Sequence, residues 1–417
     1  MNFGQVASIL AVFCLCLSVD TLKAEENRAT RFGSPNSVEN LIEDDTSETG
    51  AILEKRISEP WFEWKKSIQE EHGLSLGFDY SAVTLQSNKT GTSGEDNAAA
   101  GMLRFYGSWD LAGKGTKDTG AFIWKLEHRH KYTDVAPQGF GFDQGAVSLI
   151  EPPFNNDKLR LTNLYWRQRA NDGKTTIIGG FLDSTDYVDV FALGSPWTGF
   201  LNLAFSIGTN TIYIPNDAAF GLAAGTMLTD KTYIIAGLVD AYGDPTNPLS
   251  SVDNFFDKNE YFSSVELGWT KSQDRIYLDN SHVTVWHVDE SRDTGAPSGW
   301  GAAFHYVTYL NDNLMPFVRG GYADDGGTLM QKSLSLGLGY QKVAGRDLLG
   351  VGYNWGEPNE KTFSSGLKNQ QTLEVFYRFP LTEQFVLTPD IQYIINPALN
   401  PNRDSLWVVG LRARLAL

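Results

Sequence analysis

Phe122-Ile123-Trp124-Lys125-Leu126-Glu127-His128-Arg129 decides the fold. Phe122, Trp124 and Leu126 alternate with Lys125, Glu127 and Arg129. Side chains of an extended strand point alternately to opposite faces, so one face here is apolar and the other charged. A charge turned to mid-bilayer lipid costs about 2–4 kcal/mol for Lys or Arg, so the charged face needs water and the apolar face suits lipid. The C-terminus repeats the pattern: Trp407, Val409, Leu411, Ala413, Leu415 and Leu417 share one face, Arg412 and Arg414 the other.

The alternation recurs from Leu74 onward in segments separated by Gly, Asn, Asp and Pro. They span 74–85, 102–111, 121–132, 159–170, 175–182, 218–228, 233–242, 261–270, 276–289, 299–310, 315–323, 329–343, 348–355, 372–379, 385–395 and 405–417. Each is close to the roughly ten residues that a tilted strand needs to cross a bilayer. Backbone in lipid must satisfy its own polar groups, which only helices and closed barrels do. The pattern predicts an all-β fold, a transmembrane antiparallel β-barrel of sixteen strands. Asn171-Asp172-Gly173 and Thr229-Asp230 read as tight turns, while 243–260 and 356–371 read as long polar loops. Short turns on one rim and long loops on the other fit an outer-membrane barrel.

Upstream, Ser8 to Val19 is apolar but too short to span as a helix, and Leu22-Lys23-Ala24 offers a small residue for cleavage. Residues 1–24 read as a signal peptide, 25–59 as a polar, acidic, loosely packed extension, and 60–417 as the barrel domain. Trp61, Trp64 and Ile68 have helical spacing, which predicts a short N-terminal helix over 61–71. Both cysteines, Cys14 and Cys16, fall in the leader, so the exported chain relies on barrel closure rather than disulfides. Removing residues 1–24 takes Lys23 and Asp20 together, so the net charge stays at −16. An acidic chain without basic blocks argues against nucleic acid as a partner.

One stretch departs from the alternation. Residues 190–216 carry no charge, yet Gly194, Pro196, Gly199, Asn202 and Gly208 interrupt them. They suit neither water nor a spanning helix, and predict a loop folded into the barrel with a turn of helix.

The C-terminal third carries a recognisable text: Leu373-Glu374-Val375-Phe376-Tyr377-Arg378-Phe379, then Leu387-Thr388-Pro389-Asp390-Ile391-Gln392-Tyr393-Ile394-Ile395-Asn396-Pro397, then Leu406-Trp407-Val408-Val409-Gly410-Leu411-Arg412. These residues resemble the carbohydrate-selective porins of the OprB family. Gly180-Phe181-Leu182-Asp183 and Gly73-Leu74-Ser75-Leu76-Gly77-Phe78-Asp79-Tyr80 are similar to the same family. The resemblance implies a sixteen-stranded outer-membrane barrel passing small carbohydrates, chiefly monosaccharides, by facilitated diffusion. Its partners would be those solutes and outer-membrane lipid, in a Gram-negative-type envelope. The oligomeric state stays open.

A sugar has polar edges and apolar ring faces, so a selective pore needs paired donors and acceptors near aromatic plates. Arg104, Lys125, Glu127, Arg129, Glu374, Arg378, Asp390, Arg412 and Arg414 fall on predicted lumen faces and can fix hydroxyls or simply pair with each other. Phe191, Trp197 and Phe200 can form a stacking surface at a constriction or simply pack the loop. His128 and His130 point the same way, as a metal pair would, but share the lipid side with Phe122 and Trp124 and lack a third ligand. No metal or cofactor is expected. No G-x-S-x-G, H-E-x-x-H or P-loop occurs, so no catalytic role is assigned. Two other readings stand beside the sugar pore: a general or ion-preferring porin, and a closed-barrel enzyme or adhesin.

Overall fold

A computed structural model describes residues 32–46, 51–53, 59–150, 152–311, 313–341 and 347–417. The leader 1–24, part of the acidic extension, and Val343 at the expected end of one strand lie outside the described residues.

The strands are β1 (Leu74–Ser87), β2 (Asn97–Ala112), β3 (Gly120–Lys131), β4 (Lys158–Ala170), β5 (Thr175–Leu182) and β6 (Ala219–Met227). There follow β7 (Thr232–Asp240), β8 (Tyr261–Thr270), β9 (Asn280–Val288), β10 (Gly299–Val307) and β11 (Leu314–Asp325). The wall ends with β12 (Met330–Tyr340), β13 (Leu348–Pro358), β14 (Gln370–Pro380), β15 (Phe385–Ile395) and β16 (Ser405–Ala416). Each strand pairs antiparallel with its sequence neighbours, and β1 closes on β16 with Tyr80 opposite Leu415 and Val83 opposite Arg412. Closure leaves no strand edge for lipid to desolvate. All sixteen segments read from the alternation carry a strand.

Phase follows the sequence. On β3, Lys125, Glu127 and Arg129 face inward and are buried, while Phe122 is exposed and Trp124 and Leu126 are half-exposed. Outward apolar side chains continue round the wall, among them Leu103, Ile177, Leu222, Leu267, Val285, Leu336, Ile391 and Val409. Trp109, Phe122 and Trp166 stand in register near one rim. Tyr393 stacks on Trp407 at 4.3 Å near the other. These are the aromatic girdles of a membrane barrel. The turns 171–174, 228–231 and 381–384 lie on one rim, and the connections 132–157, 241–260 and 359–369 on the other. Asn171, Asp172 and Gly173 all take positive φ, which explains that tight turn's composition. No helix among the described residues is long and apolar enough to cross a membrane; the crossing is made by strands.

Most boundaries fall within about three residues of the expected ones, and two strand starts moved further, β2 to Asn97 and β9 to Asn280. β2 starts earlier than the alternation suggests, because its first inward positions are Ala98 and Ala100, too small to signal a face. β9 starts later than residue 276, because Gln273–Arg275 forms a 3-10 turn held by Arg275 and Lys271 on Asp279, each through its cationic nitrogen.

Among the described residues four α-helices accompany the wall: α1 (Val38–Thr46), α2 (Glu59–His72), α3 (Pro137–Asp143) and α4 (Leu249–Asp253). α2 is the expected helix before the barrel. α1 corrects the reading of the extension as loosely packed. Val38 and Leu41 are buried, and Glu39 bonds to both Arg167 and Arg169 on the inner face of β4. Glu39, and Asp45 with Arg414, act as counterions for lumen arginines rather than as solvating charge.

Candidate functional site

Two pieces of chain bound an inner cavity, and the connection 132–157 folds onto the first of them, with Phe154 5.5 Å from the Trp197 ring and Ser148 Oγ donating to Asn202 at 2.9 Å. The first is the connection 183–218 between β5 and β6, which contains the charge-free stretch. It folds inward and crosses to the far wall. Arg412 on β16 donates to the carbonyls of Pro196 at 2.6 Å and Gly199 at 3.0 Å. Glu374 on β14 accepts from the amides of Leu201 at 2.6 Å and Asn202 at 2.9 Å, and Asn202 Nδ2 donates to Gln392 on β15 at 2.9 Å. Arg319 on β11 donates to the Phe205 carbonyl at 3.1 Å, and Ser335 on β12 to that of Ala204 at 2.8 Å. An irregular segment has no ladder of its own, so wall side chains satisfy its backbone. Its apolar side chains pack as a cluster: Phe200 lies 4.6 Å from Phe205, 5.0 Å from Phe376 and 5.8 Å from Phe317 between ring centroids. One short 3-10 turn, Leu203–Phe205, supplies the helical turn expected here, and Gly208, Thr209 and Asn210 follow with positive φ.

The second piece is the described N-terminal segment 32–46. It lies nearer the short-turn rim: Phe32 meets Tyr233 at the start of β7, and Asp45 bonds to Arg414 at 2.8 Å near the end of β16. Between them, Asn36 offers its carbonyl to Lys125 at 3.3 Å.

A cavity of about 60 Å³ lies between the two pieces. Ser34, Pro35 and Asn36 line it from the N-terminal segment, and Val190, Phe191, Trp197 and Ile207 from the loop. Lys125, Glu127 and Arg129 line it from β3, Arg319 from β11, Pro153 from the β3–β4 connection, and Asp183, Asp189 and Asp217 add carboxylates. Lys125 Nζ lies 3.6 Å from Asp183 and 3.7 Å from Asp186. Arg129 donates to Glu127 at 2.7 Å and to Asp217 at 2.8 Å, and Asp217 also accepts from Arg160 at 2.8 Å. Asp189 accepts from Arg319 and bonds to His282 at 2.8 Å. Two rings carry guanidinium groups: Arg104 sits 4.2 Å from the Trp197 ring and Arg319 4.0 Å from the Phe191 ring.

Of the residues singled out from sequence, Lys125, Glu127, Arg129, Phe191 and Trp197 therefore meet round this cavity. The others sit inside the barrel but are engaged elsewhere. Arg104 pairs with Asp79 at 2.7 Å, and Arg414 shares that carboxylate at 2.8 Å. Glu374 and Arg412 hold the loop, and Asp390 accepts from Gln392 at 3.0 Å. Arg378 lies half-buried toward the short-turn end of β14. Phe200 takes the packing role of the two expected for it, in the interior of the loop where the neighbouring rings enclose it. His128 and His130 face outward, with His130 Nε2 2.9 Å from the Tyr80 hydroxyl. Among the described residues no group of three or more His, Cys, Asp or Glu is arranged to hold a metal.

Arg319, Asp183, Asp189 and Asp217 were not legible as site residues. The inward face of β11 reads Met315, Phe317, Arg319, an apolar pair before a charge, because the loop packs there instead of water. The three aspartates lie in irregular chain without a period. Burial, with the carboxylates of Asp186 and Asp217 beside it, pushes Asp183 up to about 7 against the pull of Lys125. Burial also works to raise Asp189, but Arg319, His282 and the Gly208 amide outweigh it and hold that carboxyl below its usual range.

Asp183 therefore ionises as pH rises through about 7, adding negative charge beside Asp186, Asp217, Glu127, Lys125 and Arg129. Cation preference, read from reversal potentials across a salt gradient, is expected to rise over that interval and to lose the step in Asp183→Asn. An unchanged step in the variant would assign the titration to another group.

The model of the carbohydrate-selective porin, OprB family, matches residues 95–306 and 291–417. Among curated proteins, the porin AaxA of Chlamydia pneumoniae is 32% identical over 144 residues, covering 33% of this chain and 29% of that protein. The porin AaxA of Chlamydia felis is 25% identical over 230 residues, covering 52% of this chain and 49% of that one. The chain thus spans under half the length of these curated relatives. Among solved structures, the high-pH structure of Pseudomonas putida OprB superposes with a TM-score of 0.68 at 14% identity, covering 87% of this chain and 99% of that chain. That likeness is one of fold. The two matched stretches together take in well over half of the sequence, and this chain belongs to the carbohydrate-selective porin, OprB family.

Proposed function

We propose that the protein is a diffusion pore that passes small carbohydrates, monosaccharides above all, across a bacterial outer membrane. Barrel and family give the membrane and the porin character. The carbohydrate reading is supported chiefly by the inner cavity, where ionised hydrogen-bonding groups of both signs converge beside Trp197 and Phe191. A hydroxylated ring needs those two features together: donors and acceptors for its edge, an apolar plate for its face. Export by cleavage after Ala24 belongs to the same proposal, as does the role of a channel without catalysis.

The cavity has room for a few waters. A sugar passes only when one of the two pieces that bound it gives way. The segment 32–46 is the better candidate to move. Its described hold on the wall is largely ionic, whereas the loop is anchored by backbone hydrogen bonds and a packed aromatic cluster.

Liposome swelling tests the proposal. Monosaccharides are expected to enter faster than uncharged solutes of equal size that lack hydroxyls. Rates set by size alone would favour a general, ion-preferring pore, a second reading to which the many ionised groups round the cavity lend weight.

A further inference from the structure

Helix α2 stands outside the lumen. Gly73 ends it in a left-handed conformation, its amide bonded to the Gln69 carbonyl at 2.8 Å, and the Gly73 carbonyl accepts from the Asp110 amide of β2 at 2.8 Å. A Cβ at position 73 would come 3.0 Å from the Asp110 carbonyl oxygen, so the junction is close and the helix leaves the wall in a set direction. Phe62 and Lys65 are its buried side chains.

Its aromatic side runs into the lipid-facing wall. Trp61 lies 5.0 Å from Trp64 and 6.3 Å from Phe78, an outward residue of β1 near the short-turn rim. Phe78 stacks on Phe105 at 4.6 Å, Phe105 meets Trp124 at 6.1 Å, and Trp124 meets Phe122 at 6.4 Å. The helix thus extends the outer aromatic girdle by one element. Trp64, at the end of this chain of rings, is 46% exposed, a large apolar surface for a residue facing only water. Trp61, Trp64 and Ile68 follow the three- and four-residue spacing of one helix face, while Glu63, Lys66 and Glu70 fall on the other. Amphipathic helices with indoles on the apolar face lie in the plane of a membrane interface.

We propose that α2 is a membrane-surface helix docked on the phospholipid headgroup layer at the short-turn rim, with Trp64 as its lipid contact. Continuity with the girdle identifies the occupant as lipid. The helix carries Glu59, Glu63, Glu70 and Glu71 against Lys65 and Lys66, so its attachment is aromatic and needs no anionic lipid. The proposal rests on the barrel lying in a membrane and is independent of which solute passes.

The test places an environment-sensitive fluorophore on Trp64→Cys or Glu70→Cys, in a chain whose Cys14 and Cys16 are replaced by Ser. The barrels are reconstituted into dioleoylphosphatidylcholine nanodiscs, which leave both membrane faces open, and folding is checked by heat-modifiable electrophoretic mobility. The label at 64 is expected to emit to the blue, to be quenched by shallow nitroxide lipids, and to be shielded from iodide severalfold relative to the label at 70. Adding phosphatidylglycerol should leave these values unchanged. Equal iodide quenching at both positions, or protection that appears only with anionic lipid, would overturn the proposal. So would a label at 64 that is shielded yet untouched by nitroxide lipid, because its cover would then be protein, such as a second copy of this chain. The porin reading would survive any of these results provided that the labelled barrels still conduct.

Discussion

Deleting residues 193–205 is expected to raise single-channel conductance severalfold. Ion current through a water-filled barrel is limited by its narrowest section, and this segment crosses from β5–β6 to β14, β15 and β16. The deletion removes Trp197, Phe200, Leu201 and Phe205, all buried, and with them the rings that pack around Phe200 within the loop. Glu374, Arg412 and Ser335 lose loop contacts, but the emptied space admits water, so these polar groups are rehydrated rather than stranded in a dry core. The strand ladder does not depend on the loop, so the barrel is expected to fold and to retain heat-modifiable mobility. A folded deletion variant with unchanged conductance would place the limiting section elsewhere.

A chain lacking residues 25–53 is likewise expected to conduct more. The segment 32–46 and the inward loop bound the same cavity from opposite sides, so they obstruct the lumen in series. Resistances in series add, and the conductance gained by removing both should exceed the sum of the two single gains. Milder variants separate the presence of the segment from its attachment. Glu39→Gln leaves Arg167 and Arg169 without their shared carboxylate. Breaking a buried ion pair from one side costs about 3–5 kcal/mol. Glu39 is only partly buried and Asp110 still holds Arg167 at 3.2 Å, so the loss lies at the low end or below. Glu39→Gln with Asp45→Asn is expected to give intermediate conductance with frequent switching between levels. Wild-type conductance in both the truncated and the doubly substituted chain would show that this segment does not obstruct the path.

The wall was legible because lipid and water impose opposite demands on successive residues. In β3 and β16 that contrast is sharp over Trp124 to Arg129 and Leu411 to Leu415, though Ile123, Leu406 and Val408 also turn inward, and the phase read from Lys125 and Arg412 is the phase observed. The inward loop was legible for a complementary reason: a long charge-free stretch broken by Gly and Pro has few places to go except into shelter. The N-terminal segment was not. An acidic polar stretch reads alike whether its counterions are in solution or are Arg167, Arg169 and Arg414 on a lumen wall. The cavity was half legible. Its β3 side follows from alternation, whereas Asp183, Asp189 and Asp217 are brought there by irregular chain. Arg319 was hidden behind Met315 and Phe317, whose inward packing against the loop breaks the polar-in rule.

Planar-bilayer recording of the reconstituted protein, with and without a monosaccharide such as glucose, tests most directly that this barrel is a carbohydrate pore. A steady ionic current is expected, falling in a saturable way as the sugar is added, with little effect from an uncharged solute of equal size without hydroxyls. A barrel that never conducts, or a current indifferent to the sugar at every concentration, would contradict it.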